Sequence, residues 1–89
     1  MPFFSFPDDA RWNDDTDSVE FSVSIGEYVG TARVARPVFR RFGGRTVSAE
    51  ECLASYHLYR TEFERAVEAK IRRRELAEDG NVDIVGRDL

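Results

Sequence analysis

At 89 residues the chain can build one modest hydrophobic core, which excludes two independent domains. Its 42% hydrophobic and 12% aromatic content excludes a disordered polymer, in spite of 34% charged residues. The net charge of −4 is segregated: residues 8–27 hold seven acids against Arg11, net −6, whereas residues 33–45 hold five arginines and no acid, net +5. Cys52 stands alone, so no intramolecular disulfide can form, and a thiol unpaired within its chain suits a reducing compartment. The first residues lack a basic leader region and are interrupted by Pro2 and Pro7, and no run approaches the roughly 18 apolar residues of a membrane span. The expectation is a soluble cytoplasmic protein with no membrane association.

In chain order, residues 1–18 read as an N-terminal arm and acidic turn. Phe4, Phe6 and Trp12 are large apolar groups that dock on the domain, while Asp8, Asp9 and Asn13–Asp17 are turn formers, so the stretch is expected to be loop. A single α+β domain then fills 19–89. Val19, Phe21, Val23 and Ile25 alternate with Glu20, Ser22 and Ser24, the period-two pattern of a strand with one buried face. Gly26-Glu27 suits a type II′ hairpin turn, and Tyr28 to Val34 is the returning strand. This turn sets a register in which Ile25 faces Tyr28, Val23 faces Gly30, Phe21 faces Ala32 and Val19 faces Val34. Bulky residues at Val23 and Phe21 then meet small ones.

Pro37 ends the second strand's pairing, and Val38 to Phe42 reads as one short helical turn before Gly43-Gly44. Ser48-Ala49-Glu50-Glu51 fits a capping box, with Val47 and Cys52 as a hydrophobic staple. From there one long helix is expected to run to Asp79-Gly80-Asn81. At about 100° per residue Ala49, Cys52, Tyr56, Tyr59, Phe63, Ala66, Val67 and Lys70 share its apolar stripe, with Leu53 and Ile71 at the margin. Glu68 with Arg72 and Arg74 with Glu78 are i,i+4 pairs on its exposed side. Val82 to Val85 is a short strand that adds to the hairpin's open edge. The fold class is α+β, in the order β-β-short α-long α-β: a small antiparallel sheet built on the hairpin, with a long C-terminal amphipathic helix packed on one face.

Few residues suggest chemistry. Cys52 and His57 lie five residues apart on a helix, about 140° around it, so their side chains diverge and no nucleophilic pair forms. Asp14, Asp15 and Asp17 have the oxygen ligands of a hard-cation site but not its spacing, so no metal is expected. Arg33, Arg36, Arg40, Arg41 and Arg45, around Gly43-Gly44, are the candidate contacts for an anion or nucleic acid; the segment lacks the Lys-Ser/Thr ending of a phosphate-binding loop, and the competing reading is a solvated basic edge paired with the acidic arm. Tyr28, Phe39 and Phe42 beside it can serve as stacking surfaces or as core. Arg72-Arg73-Arg74 cannot form one patch on a helix and suits its C-terminal dipole. Leu58, Ala69 and Leu76, opposite the core stripe, are the candidate contacts of a homodimer.

The order Phe6-Pro7, the Trp12 acidic turn, the Val19/Phe21 strand, the hairpin, the Phe39–Gly44 segment, the helix carrying Phe63 and Ala66, and a short terminal strand resembles the bacterial domain of unknown function 1488 family across nearly the whole chain. The resemblance implies a small α+β bacterial protein of the cytosol and transfers no catalytic or binding residue. The function expected from the residues is that of a non-enzymatic interaction or regulatory protein, acting through a surface or as a homodimer without a cofactor. The alternatives are a nucleic-acid or anion-binding module built on the Arg33 to Arg45 segment and, last, an enzyme with a pocket near Tyr56, Tyr59 and His57.

Overall fold

The computed structural model describes residues 3–40 and 48–89. Three strands come first: β1 (Arg11–Asn13), β2 (Ser18–Ile25) and β3 (Tyr28–Ala35). A 3-10 turn at Arg36–Phe39 leads toward two helices, α1 (Ala49–Leu58) and α2 (Arg60–Arg72), and the short strand β4 (Val82–Ile84) precedes a final 3-10 turn at Gly86–Asp88. The sheet order is β1-β2-β3-β4, antiparallel except for the parallel pairing of β3 with β4.

The hairpin carries the expected register, Val19 opposite Val34, Phe21 opposite Ala32, Val23 opposite Gly30 and Ile25 opposite Tyr28. Gly26 takes φ +58° while Glu27 stays at negative φ, as a type II′ turn requires. Gly30 is small for a specific reason. The Tyr28 ring lies along the strand over it, so that an added Cβ would sit 2.1 Å from the tyrosine oxygen, and that hydroxyl donates to Gly80 O at 2.8 Å.

Three expectations are corrected. Arg11–Asn13 is a strand and not loop: pairing Trp12 with Val19 lays the indole against the core side of the sheet, and a run of turn formers gave no local sign of it. The sheet is mixed, because the chain leaves β3, crosses one face through both helices and re-enters beside β3 in the same direction, as a helical crossover does. The single long helix is two shorter ones.

The first helix does begin with the Ser48/Glu51 capping box, Ser48 Oγ accepting from Glu51 N–H and Glu51 Oε1 from Ser48 N–H at 3.1 Å each. Tyr59, at φ −108° and ψ 24°, interrupts the helix. Neither Pro nor Gly marks this point; it coincides with Arg60, whose guanidinium donates to Phe6 O at 3.0 Å and to Glu64 at 2.6 Å and lies 3.6 Å from Asp8. The same clamp holds the aromatic arm on its own chain, where Ser5 exchanges backbone bonds with Ser24 and Asp9 accepts from the Ser22 N–H and hydroxyl. The second helix ends early because Arg74 adopts φ +58°. Glu75 N–H then reaches Lys70 O at 2.9 Å and Arg74 N–H reaches Ile71 O at 3.0 Å, a Schellman stop with arginine where glycine is usual. Glu78 is therefore not a helical partner of Arg74, whereas Glu68 and Arg72 pair at 3.6 Å.

Both helices lie on one face. Val19, Phe21, Val23, Ala32, Val34, Val82 and Ile84 from the sheet meet Cys52, Tyr56, Phe63, Ala66 and Val67 from the helices, closed by Val38 and Phe39. Phe21 and Tyr56 rings are 4.8 Å apart and Phe39 and Phe63 5.4 Å, so aromatic packing joins the layers. No described helix is long and apolar enough to cross a membrane.

Candidate functional site

The opposite face of the sheet carries neither of the described helices. The outward positions of successive strands form a row across it, Arg11 opposite Glu20, Glu20 opposite Arg33, and Arg33 opposite Asp83. The row alternates in charge, plus, minus, plus, minus, with one residue from each strand. Its outer members are the exposed ones: the Arg11 and Asp83 side chains retain 51% and 55% of their accessibility, against 10% for Glu20 and 21% for Arg33.

Arg33 is fixed by two carboxylates. Its Nε donates to Asp83 Oδ1 at 2.7 Å and its terminal nitrogens to Asp79 at 2.8 and 3.2 Å, which holds Asp79 below the usual carboxylate range and the guanidinium above its own. Glu20 is nearly buried on this face beside Asn13 and Thr16. Its carboxylate accepts from Asn13 Nδ2 at 3.1 Å and Thr16 Oγ1 at 3.2 Å, and Arg11 lies 3.6 Å away. Because the Thr16 hydrogen goes to Glu20, the Ser18 hydroxyl donates to Thr16 across 2.6 Å, giving a short hydroxyl chain that ends on a carboxylate. Beside it a hollow of about 490 Å³ is lined by Thr16, Ser18, Arg33, Ala35, Asp83, Ile84 and Val85, and a second of about 570 Å³ continues past Ala35, Ile84 and Val85 to Pro37 and Val38.

Of the five arginines singled out in the sequence, Arg33 and Arg36 are engaged by carboxylates of their own chain. Arg33 belongs to the open-face row, and Arg36 is taken by Asp17, with Nε at 3.0 Å and a terminal nitrogen at 2.7 Å from Oδ1, while stacking 4.8 Å over Trp12. That pairing draws Asp17 below its ordinary range and joins the acidic turn to the basic segment. Arg40 is exposed; Arg41 and Arg45, like Phe42, Gly43-Gly44 and Val47, lie outside the described residues. Nor do the dimer candidates form one stripe: Leu58 ends α1 at 75% exposure, Ala69 is half-buried on α2, and Leu76 follows the helix stop. His57 is exposed with its ring edge-on to Tyr56, while Cys52 is buried in the core, which raises its thiol pKa. Burial also pushes Tyr56 up to about 12.

One buried charge went unrecognised in the sequence. Lys70, read only as the end of the apolar stripe, donates to Asp83 O at 2.7 Å and Asp88 Oδ2 at 3.0 Å, and Asp88 also accepts Val85 N–H at 2.8 Å. Burial raises the Asp88 carboxyl, but the Val85 N–H and Lys70 outweigh it and leave its pKa below the ordinary value. These bonds occupy the outer edge of β4, and β1 lies along part of the outer edge of β2.

A protein of unknown function from Shewanella loihica, assigned to the DUF1488 family, superposes with a TM-score of 0.82 at 15% identity, over 91% of this chain and 90% of its own. At that identity the likeness shows the fold alone. No curated protein matches the chain. The family model described as a protein of unknown function (DUF1488) matches residues 4–84, and the chain belongs to that family.

Proposed function

We propose that the protein is a non-enzymatic interaction module that works through the uncovered face of its sheet. The observation that carries this reading is the division of the sheet: both helices cover one face, and the other presents an ordered row of charges with two shallow hollows at its end. Each charge in the row is held in place by a neighbour, an arrangement suited to recognising a surface of matching pattern and unsuited to moving protons. The buried free thiol of Cys52 supports a reducing, cytoplasmic setting.

Affinity capture from the native cell, comparing wild type with Arg11→Glu, tests the reading. Binding retained by wild type and lost by the variant supports it. Equal capture by both places the contact elsewhere and refutes it. Nucleic acid in the eluate, with affinity falling steeply as salt rises, would instead favour the arginine segment that includes Arg40.

A further inference from the structure

We infer that the open face pairs with the same face of a second copy of this chain. The inference rests on the interaction-module reading and supplies its partner. An isologous dimer places residue i against j and j against i. A two-fold axis running along the strands between β2 and β3 exchanges the first strand for the fourth and the second for the third. Under it Arg11 stands over the other copy's Asp83, and Glu20 over the other copy's Arg33. An even row of alternating charges is therefore its own complement. A row of uniform sign would repel its copy, and a row of three would place like charges over each other at both ends.

The outer pairs have the reach to do this, since Arg11 and Asp83 are each about half exposed, and Asp83 Oδ2 has no hydrogen-bond partner among the described residues. Ser22 opposite Thr31 keeps one flank of the row low, whereas on the other Thr16 lies against the buried Ser18, so that contact between copies is made at the exposed Arg11 and Asp83 ends. Four strands at about 4.8 Å by eight residues at about 3.4 Å give at most about 500 Å² of footprint, below the roughly 800 Å² per partner of a standard interface. The dimer is accordingly weak, reversible and weakened by salt.

Sedimentation of the full chain over a concentration series tests it. The expected result is a shift from 10.2 kDa toward twice that mass at high micromolar concentration in low salt. Arg11→Glu and Asp83→Arg should each weaken association by at least about tenfold, because each sets like charges face to face. Mixing the two variants restores it, since the introduced glutamate then meets the introduced arginine, while the native Asp83 of one variant meets the native Arg11 of the other. Rescue in the mixture also shows that both variants fold. A wild-type chain that stays at 10.2 kDa, or a mixture that associates no better than either variant, overturns the second-copy inference. The interaction-module reading is judged separately by the capture experiment, because a monomer still offers the face to another protein.

Discussion

The two faces of the sheet come from the same alternation in β2 and β3 yet hold their residues by different means. On the covered face Val19, Phe21, Val23 and Val34 are fully buried, and stability comes from apolar area removed from water. On the open face the half-exposed ends Arg11 and Asp83 contribute little to stability as solvated ion-pair members, while Glu20 and Arg33 between them are held by hydrogen bonds. On the proposed interaction role, one face is built to fold and the other to recognise. If that division is right, substitutions on the two faces separate cleanly in their effects.

The largest loss is expected in the covered layer. Phe21→Ala removes the ring that touches both Phe6 and Tyr56 and should lower the unfolding free energy by about 3–5 kcal/mol in a denaturant titration. Next comes the latch at the β4 edge. Asp88→Asn leaves Lys70 buried without its counter-charge and should cost about 3 kcal/mol, at the low end for a broken buried pair because water still reaches the site. The sign with pH follows from the lowered Asp88 pKa: the wild-type contribution is present above the ordinary value of 3.8 and is lost as pH falls through the lower folded value. Acid titration should therefore show a smaller loss of stability in Asp88→Asn than in wild type.

Gly30→Ala follows, at about 1–3 kcal/mol, since the new methyl displaces the Tyr28 ring and its bond to Gly80. Combined with Tyr28→Ala the cost should fall well short of additive, because the clash is already gone. Smallest is a gain: Arg74→Gly relieves a left-handed arginine and should stabilise by about 1 kcal/mol, read as a rise in the denaturation midpoint.

The hairpin was legible in the sequence because β2 alternates over eight residues and Gly26 admits the turn's positive φ, which fixed which residues face which. Glu20 opposite Arg33 follows from that register alone. Arg11 and Asp83 do not, because β1 and β4 are three residues each and their registers are set by tertiary packing, so half of the open-face row was invisible. The helix stop was missed for a related reason: arginine at position 74 carries no signal for a left-handed cap, whereas Gly80 further on does. Arg33 and Arg36 looked unneutralised because Asp17, Asp79 and Asp83, distant in the chain, supply their counter-charges only in the fold.

The division of labour is tested most directly by measuring stability and association together on Arg11→Glu, an exposed end of the row. The account predicts a loss of about 1 kcal/mol of unfolding free energy, from reversing the charge beside Glu20, and a loss of self-association by sedimentation. A variant that associates as wild type does, or one that loses stability on the scale of Phe21→Ala, would contradict it.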